Sequence, residues 1–381
     1  MKNPFIYGVT VTGEYFTGRE EEMREITSSS LSGQHIVLYS PRKMGKSSLI
    51  EEMFNRFKKK QGKEVVAFRI SLERVESKEA LARLIINKTV ENAYTSVEKL
   101  LKDAKELFSR IRVRAFADMD GRIGVEPFFA DADADAILED ALELPEKVAG
   151  KKGIRIIIAL DEFQRIEKLG GASLERLFRS IMETQKNVSY IFTGSEKHLL
   201  HMIFGEKERP FYRFAKQMEL APMAKDVLGE FVISRVRATG KGIDEEAVKW
   251  IVAFSEGIPF YVQCLCHEAW YGSESRISPE SVRGAMEQKI LPMLSAGYSI
   301  IWNRINGSVQ RKLLIGLAKD DGLIRSGERK VYSKEFIRDH DLTSSASVRK
   351  AMKALDGMDL VYENRISDFF FRDWLKNQAL E

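Results

Sequence analysis

The sequence predicts an α/β fold in which a doubly wound, mostly parallel sheet is followed by an all-helical region. Short apolar runs alternate with longer stretches of helical periodicity. A turn ending in Gly-Lys-Ser follows the first of these runs, and an acidic pair ends a later one. Apolar residues make up 44% of the 381 residues and charged residues 30%, which indicates a globular protein with an ample core.

Five short segments, most of them apolar runs, are expected to form strands. In chain order they cover residues 35–39, 64–70, 154–160, 188–195 and 217–220. Helices are expected at 77–110, 174–182 and throughout 225–295, where Glu256-Gly257-Ile258-Pro259 marks a break. These patterns divide the chain into a core at 1–223, a helical region at 224–298 and a C-terminal domain at 299–381.

Residues 95–150 look like an insertion before the third strand. The pair Asp120-Gly121 lies between alternating residues there and predicts a hairpin. Asp131, Asp133 and Asp135 alternate like the start of a calcium-binding loop, but Ala136 and Leu142 stand where that loop needs glycine and glutamate. A polar lead-in to a helix is therefore the interpretation of these aspartates.

Residues 40–47 read Ser-Pro-Arg-Lys-Met-Gly-Lys-Ser and join the first strand to a helix. Strand, tight loop and Gly-Lys-Ser at a helix start are the context of a phosphate-binding P-loop. Lys46 is expected to contact the β- and γ-phosphates and Ser47 to bind Mg²⁺. Ser40 stands where the usual motif has its first glycine. The residues expected at the nucleotide are Ser40, Pro41, Arg42, Lys43, Met44, Gly45, Lys46, Ser47 and Ser48.

The run 154–160 ends in Asp161 and Glu162. The carboxyl end of a buried parallel strand is where ligands bind in open α/β sheets. Asp161 is therefore expected to bind Mg²⁺ through water, and Glu162 to polarise a water for attack on the γ-phosphate. Two solvated acids at a strand end are the alternative. The upstream P-loop favours the catalytic interpretation, which is Mg²⁺-dependent hydrolysis of ATP.

Charge and cysteine content narrow the class of protein. The net charge is only +4, with basic and acidic residues interspersed, which does not by itself indicate a nucleic-acid partner. Cys264 and Cys266 fit neither a zinc motif nor a disulfide framework, so reduced thiols are expected. No signal peptide and no apolar run of membrane length is evident, so the expected localisation is cytoplasmic, without a membrane partner.

Further segments match a known family. They are Asn3-Pro4-Phe5, Phe16-Thr17-Gly18-Arg19-Glu20, Leu160-Asp161-Glu162-Phe163-Gln164, Tyr190-Ile191-Phe192-Thr193-Gly194-Ser195, Arg209-Pro210-Phe211-Tyr212-Arg213, Gly257-Ile258-Pro259 and Asp368-Phe369-Phe370-Phe371-Arg372-Asp373-Trp374-Leu375. With the P-loop, they make the chain resemble the prokaryotic predicted ATPases often called the archaeal ATPase family, within the AAA+/STAND group. The resemblance covers nearly the whole chain. It implies an AAA+/ASCE sheet with a helical lid and a C-terminal winged helix-turn-helix domain.

The resemblance also implies residue roles outside the two motifs. Thr193 and Ser195 would lie at the sensor position, where a polar group touches the γ-phosphate or the attacking water; a strand-end cap is the alternative. Arg213 stands where this class often carries an arginine finger, usually supplied by a neighbouring subunit, and Arg209 is the second candidate. A solvated surface arginine is the alternative for both. The residues implied to lie near the adenine are Phe16, Arg19 and Pro259.

The C-terminal region is like a winged helix-turn-helix, with helices at 332–338 and 346–355 and a wing at 360–366. A Ser or Thr at 343–345 would cap the second helix. That helix carries cations that suit phosphate or base-edge contacts, at Arg349, Lys350 and Lys353. Nearby acidic residues dilute the positive field, at Asp356, Asp359 and Glu363.

Three functions remain open at this point, all with ATP or ADP and Mg²⁺ as ligands. One is an ATPase acting on DNA through the winged helix. Another is a signalling switch whose winged helix binds a partner protein while slow hydrolysis acts as a timer. The third is a nucleotide-binding scaffold without useful turnover. The absence of an evident sensor-2 arginine favours a switch over a processive motor.

Overall fold

The computed structural model describes residues 2–60, 64–108, 112–118, 121–128 and 133–378. The chain forms two compact units. The sheet unit comprises residues 7–227 and 258–260, and the helical unit comprises residues 1–6, 228–257 and 261–381. The chain therefore leaves the helical unit after Gly257 and returns to it at Tyr261.

The strands that the structure describes in the sheet unit are, in chain order, β1 (Ile36–Tyr39), β2 (Val65–Ser71), β3 (Arg112–Ala117), β4 (Ile123–Phe128), β5 (Arg155–Asp161), β6 (Val188–Gly194) and β7 (Lys216–Glu219). Five of them form one sheet in the order β2-β5-β6-β1-β7. All neighbours in this sheet run parallel. The five predicted strands and the doubly wound parallel fold are thus confirmed, and β6 lies between β1 and β5.

The three central strands of the sheet, β5, β6 and β1, are buried on both faces, which explains why they are nearly continuous apolar runs. β1 and β6 are buried along their whole length. Val37 and Phe192 pack into one core cluster, whereas Ile36 and Ile191 pack into the other. Because successive side chains of a strand point to opposite faces, one short apolar run supplies both cores.

Helices cover the two faces of this sheet. They are α1 (Glu20–Leu31), α2 (Lys46–Lys60), α3 (Lys78–Ala93), α4 (Val97–Leu107), α5 (Ala134–Lys152), α6 (Ile166–Leu169), α7 (Gly171–Met182) and α8 (Lys197–Gly205). The predicted helix at 77–110 is divided into α3 and α4. The side chain of Ser96 accepts a hydrogen bond from the N–H of Lys99 and caps a new helix there.

The segment predicted as an insertion contains two kinds of structure. Helix α5 packs into the core, with Leu138 and Val148 fully buried. β3 and β4 form an antiparallel hairpin, as predicted. Asp120 of the predicted turn and Asp131 of the aspartate series lie outside the described residues.

The helical unit begins its main run within α9 (Lys225–Arg237). There follow β8 (Gly242–Ile243), α10 (Glu245–Ser255), α11 (Pro259–Tyr271), β9 (Arg276–Ile277), α12 (Pro279–Ala285) and α13 (Leu291–Arg304). β8 and β9 pair in parallel and were not predicted, because two residues carry no periodic signal. The predicted break between α10 and α11 is present, with Glu256 in the left-handed region at φ 49°.

The C-terminal elements are α14 (Ser308–Lys319), α15 (Asp321–Ser326), α16 (Lys334–Asp339), α17 (Ser345–Asp356), β10 (Val361–Tyr362), β11 (Arg365–Ile366) and α18 (Phe369–Leu375). The predicted helix-turn-helix is α16 and α17, and Ser344 forms a capping box with Ser347. β10 and β11 form the wing. Its two turn residues, Glu363 and Asn364, both have positive φ, which is typical of a tight hairpin turn.

Both cysteines carry free thiols inside α11. Cys264 and Cys266 are at most 1% exposed, and burial raises the pKa of the Cys266 thiol. Within the part of the chain that the structure describes, no helix has the length and apolar character that a membrane span requires.

Candidate active site

The loop between β1 and α2 has the backbone of a phosphate-binding turn. Lys43 and Gly45 both adopt positive φ, at 71° and 88°. A Cβ on Gly45 would meet only the Pro259 side chain, at 3.8 Å, so backbone conformation rather than space requires the glycine. Helix α2 begins at Lys46, and the N–H of Leu49 donates to the Gly45 carbonyl at 2.9 Å. The loop thus ends at a helix N-terminus, where anions bind well.

The Lys46 ammonium lies inside this loop. It donates to the Ser40 carbonyl at 2.7 Å, to the Ser40 hydroxyl at 3.1 Å and to the Pro41 carbonyl at 3.2 Å. Burial lowers the pKa of Lys46 to about 8, while the charges of Glu162 and Asp161 act in the opposite direction. A buried cation within the field of these two carboxylates is the arrangement expected of a P-loop lysine.

Ser40 replaces the glycine of the usual motif without strain. Its φ is negative, so the backbone does not need glycine. Its buried hydroxyl accepts from Lys46 and donates to the Pro41 carbonyl at 3.0 Å. The hydroxyl is therefore satisfied within the loop, which explains why serine is tolerated here.

Asp161 ends β5 and is held by three donors. Its Oδ1 accepts from the Thr193 hydroxyl at 2.5 Å and from the N–H of Glu162 at 3.1 Å. Its Oδ2 accepts from the Arg69 guanidinium at 3.5 Å. These contacts fix the plane of the carboxylate at the carboxyl end of the sheet.

Glu162 follows in the left-handed region at φ 54°. Its Oε2 accepts from the Gln164 amide at 2.5 Å and from the Ser195 hydroxyl at 3.0 Å. Thr193 and Ser195 were predicted to face the γ-phosphate or its attacking water. The structure places each hydroxyl on one of the two acidic residues, because β6 ends beside β5.

Arg19, which directly precedes α1, contacts the P-loop. Its buried guanidinium pairs with Glu22 at 2.6 Å and donates to the Met44 carbonyl at 3.4 Å. Burial lowers the pKa of Arg19, and Glu22 opposes that shift. Phe16 packs against the core cluster that includes Met44. Arg19 thus contacts the loop directly.

Ser48 and Pro259 were also predicted to lie at the nucleotide. The Ser48 hydroxyl accepts from the N–H of Val11 at 3.1 Å, so its side chain ties the N-terminal segment to α2. Pro259 lies beside Gly45, and the next residue, Phe260, carries the Lys43 ammonium 4.8 Å from its ring centroid. Pro259 and Phe260 therefore lie against the P-loop within the sheet unit.

The two arginine-finger candidates differ in exposure. Arg213 is exposed at φ 54°, with its guanidinium 5.1 Å from the Tyr212 ring centroid. Arg209 forms ion pairs with Glu167 and with the buried Glu175. Burial raises the pKa of Glu175 to about 7, against the effect of Arg209. Arg209 thus has its partners within the sheet unit, and Arg213 is the candidate whose guanidinium reaches solvent.

Sequence reasoning did not assign roles to Arg69 and Gln164. Gln164 belongs to the segment that matched the family, but its spacing alone does not indicate a contact with Glu162. Arg69 reaches Asp161 because β2 and β5 are neighbours in the sheet. Strand order is not readable from local periodicity, so no sequence signal could have found Arg69.

Helix α17 presents its predicted cations to solvent. Arg349, Lys350 and Lys353 are all exposed, whereas Val348 and Leu355 on the opposite face are buried. Arg349 lies over the Tyr332 ring, 5.6 Å from its centroid. Among the described residues, no ion pair engages these three cations.

The residues at the P-loop fit ATP and Mg²⁺. Ser47 and Asp161 offer hydroxyl and carboxylate oxygens, the ligand types that Mg²⁺ prefers. No group of three or more His, Cys, Asp or Glu side chains suited to a metal ion occurs among the described residues. Mg²⁺ often takes only one or two protein ligands and binds substrate phosphates as well, which agrees with this sparse set.

Comparison with known proteins supports the same assignment. A family model described as an ATPase domain predominantly from Archaea matches residues 16–265, and a model of a probable winged helix domain matches residues 296–377. No curated protein matches the chain.

Several solved structures share the fold. The Walker-type ATPase PABY2304 of Pyrococcus abyssi is 19% identical, with 98% of this chain and 99% of that chain covered and a TM-score of 0.64. The Aeropyrum pernix ORC2 protein in its ADPNP-ADP complexes is 14% identical, with 95% and 94% covered and a TM-score of 0.54. The Aeropyrum pernix ORC1 protein in complex with DNA is 15% identical, with 95% and 93% covered and a TM-score of 0.50.

The matched ATPase domain spans more than half of the chain, and it contains the P-loop and the acidic pair described above. The resemblance to the archaeal ATPase family is confirmed. The chain is an ATPase that belongs to the family of ATPase domains found predominantly in Archaea, and it carries a C-terminal winged helix domain.

Proposed function

We propose that this ATPase is Mg²⁺-dependent and of the STAND type, and that its nucleotide state controls DNA binding by the winged helix domain. The observation that carries the proposal is the convergence of Lys46, Asp161 and Glu162 at the carboxyl ends of β1 and β5. The test is to measure DNA binding with ATP and with ADP, and hydrolysis with and without DNA. Equal affinities in both nucleotide states would contradict nucleotide control.

Each residue of the site takes a defined part in this proposal. Lys46 binds the β- and γ-phosphates, with the N–H groups of the loop around them. Ser47 and Asp161 hold Mg²⁺, which neutralises charge on the phosphate oxygens when bound. Glu162 orients and polarises the attacking water. The residues proposed to flank the adenine side are Phe16, Arg19 and Pro259.

The proposed link to the winged helix domain starts at Glu256. This residue directly precedes the Gly257-Ile258-Pro259 segment, whose proline lies beside the P-loop. Within the helical unit, the guanidinium of the wing residue Arg365 donates two hydrogen bonds to the Glu256 carboxylate, at 2.7 and 2.8 Å. A displacement of the Gly-Ile-Pro segment would therefore act directly on a residue that the wing holds.

Two more charged residues, Arg372 and Asp321, extend the contact between Arg365 and Glu256. Arg372 of α18 donates to Glu256 at 3.0 Å and to Asp321 at 2.8 Å, and Arg365 also reaches Asp321. The Arg372 guanidinium lies 4.5 Å from the Phe369 ring centroid. Burial acts to raise the pKa of Glu256, but hydrogen bonds and charge from Arg365 and Arg372 lower it overall. Such a network of mutually paired charges favours movement of its members as one body.

Replacement of Arg365 by alanine is expected to reduce nucleotide control. The variant leaves Glu256 with fewer partners, so the wing no longer follows the Gly-Ile-Pro segment. The ratio of DNA affinities measured with ATP and with ADP should fall toward one. Arg276→Ala is the control, because this arginine lies in the same unit, is 64% exposed and pairs with Asp244. An unchanged ratio in Arg365→Ala would contradict the proposed link.

The proposed DNA contact rests on the exposed cations of α17. Arg349 and Lys353 are four residues apart and share a helix face. The structurally similar ORC1 protein was solved in complex with DNA. Charge reversal of both residues is expected to weaken binding to DNA of any sequence. It should also flatten the slope of log affinity against log salt by about 0.9 for each lost phosphate contact.

The control for this experiment is Lys249→Glu with Lys319→Glu, which changes the net charge equally outside α17. Hydrolysis without DNA should be unchanged in both double variants. If the parent protein shows no salt-sensitive DNA binding in either nucleotide state, the DNA proposal fails. The leading function is then a switch whose winged helix binds a partner protein.

Arg213 is proposed as an arginine finger supplied to a second copy of the chain. The Arg179 guanidinium supports its loop by donating to the carbonyls of Pro210 and Tyr212. Arg213→Ala is expected to reduce hydrolysis more than ATP binding, and the specific activity of the parent should rise with protein concentration. A concentration-independent rate together with a fully active variant would assign Arg213 to the solvated surface.

A further inference from the structure

We propose that Gln164 is a positioning residue for ATP hydrolysis, whose side-chain amide holds the Glu162 carboxylate in its working orientation. The proposal rests on the function proposed above for Glu162. Gln164 is 2% exposed, and its Nε2 donates to Glu162 Oε2 at 2.5 Å. The two residues are separated only by Phe163, so the contact is local and independent of other domains.

The orientation of the Gln164 amide is fixed by its neighbours. Its Nε2 also faces Glu196 Oε1, at 3.4 Å. Ionised carboxylates only accept hydrogen bonds, so the NH₂ group must point toward Glu162 and Glu196. A flipped amide would place its oxygen against two negative charges.

Gly194 provides the space for the other end of this amide. A Cβ on Gly194 would lie 2.1 Å from Gln164 Oε1 and 3.1 Å from a methyl carbon of Leu200. Gly194 has no positive φ, so the glycine is not required by backbone conformation, but a side chain there would displace the Gln164 amide. The end of β6 is thus shaped around Gln164.

The backbone between Glu162 and Gln164 is also held rigidly. Phe163 is fully buried and packs against several aromatic rings, with its centroid 4.6 Å from that of Phe192. The N–H of Arg165 donates to the Glu162 carbonyl at 3.0 Å. With the backbone fixed, the remaining freedom of Glu162 is in its side-chain torsions, which the Gln164 amide restrains.

The two hydrogen bonds to Glu162 use the same carboxylate oxygen, so the other oxygen can bind the attacking water. Gln164 and Ser195 both donate to Oε2 of Glu162. Oε1 is then the oxygen that accepts a hydrogen bond from the attacking water. Loss of the Gln164 amide would let the carboxylate rotate away from that water, and misplacement of a catalytic group by about 1 Å can cost roughly 100-fold in rate.

The first test is Gln164→Ala. We expect kcat to fall by about 10- to 100-fold, whereas the dissociation constant for ATP stays at the parent value. Gln185→Ala is the matched control, because Gln185 donates to the Leu142 carbonyl at 2.8 Å and its Oε1 likewise has no partner in the described structure. The control removes a comparable hydrogen bond elsewhere in the sheet unit and should keep the parent kcat.

The second test is the double variant with Glu162→Gln. If Gln164 acts through Glu162, adding Gln164→Ala to Glu162→Gln causes no further loss of kcat. Losses that multiply would overturn the proposal. A slow Glu162→Gln with a parent-like Gln164→Ala overturns only the role of Gln164. A parent-like Glu162→Gln overturns the assignment of the base itself.

A third variant keeps the size of the side chain in case alanine impairs folding. Gln164→Glu keeps the length of the side chain but replaces the donating NH₂ group with a carboxylate, which repels the Glu162 carboxylate instead of holding it. We expect kcat to fall by about 10- to 100-fold, as in Gln164→Ala, with the dissociation constant for ATP at the parent value. A parent-like kcat in this variant would overturn the proposal, because the donated hydrogen bond is lost while the size of the side chain is kept.

Discussion

Replacement of Lys46 by alanine is expected to abolish tight ATP binding, because the phosphates lose their main point charge. The Lys46 ammonium lies among the loop carbonyls and within the field of Asp161 and Glu162. A hydrogen bond to a charged group contributes about 1.5–3 kcal/mol, so loss of the contacts to two phosphates should lower affinity by roughly 100-fold or more. Calorimetric titration of the variant with ATP and Mg²⁺ measures this directly.

The matched control is Lys43→Ala, which removes the same charge from the same loop. The Lys43 ammonium lies over the Phe260 ring, so its loss should weaken binding much less. Thermal unfolding without nucleotide should not be impaired by Lys46→Ala, since burial of this ammonium is unfavourable. Near-parent affinity in Lys46→Ala would end the P-loop assignment.

Replacement of Glu162 by glutamine is expected to lower kcat by roughly 100-fold or more, the usual range for a positioned base. The amide has nearly the same shape, but it cannot take a proton from water. ATP and Mg²⁺ binding should persist, because Lys46, Ser47 and Asp161 are unchanged. The measurement is the steady-state rate of phosphate release at saturating ATP, with the dissociation constant for ATP determined separately.

Asp161→Asn is the companion variant, since it removes the neighbouring charge instead. It should raise the Mg²⁺ concentration needed for half-maximal hydrolysis, whereas Glu162→Gln should leave that concentration unchanged. If Glu162→Gln hydrolysed ATP at the parent rate, another group would have to position the water.

Local sequence was sufficient for the five strands of the central sheet. Residues 36–39, 155–161 and 188–194 are strands because short β-rich apolar runs suit strands that are buried on both faces. The P-loop was recognisable because its conformation depends on Gly45 and on the helix start at Lys46, which are adjacent in sequence. The cap of α17 at Ser344 is equally local.

The tertiary structure decided which side chains meet. The hydrogen bonds from Thr193 to Asp161 and from Ser195 to Glu162 exist because β6 ends beside β5, and several strand orders are compatible with the same local pattern. The different surroundings of Arg209 and Arg213 follow from the packing of α7 against their loop. These side-chain contacts depend on how segments that are distant in sequence pack against each other.

The sequence by itself therefore determined a P-loop and an acidic pair, each within a few consecutive residues, and its resemblance to a known family implied the winged helix domain. Only the tertiary structure assigned a partner to Glu256, which pairs with Arg365 across 109 residues. It likewise showed that the Gln164 amide donates a hydrogen bond to Glu162 and that its oxygen occupies the space where Gly194 has no side chain. The physical reason is that periodicity reports which face of an element is buried, whereas side-chain pairing depends on how separate elements pack together.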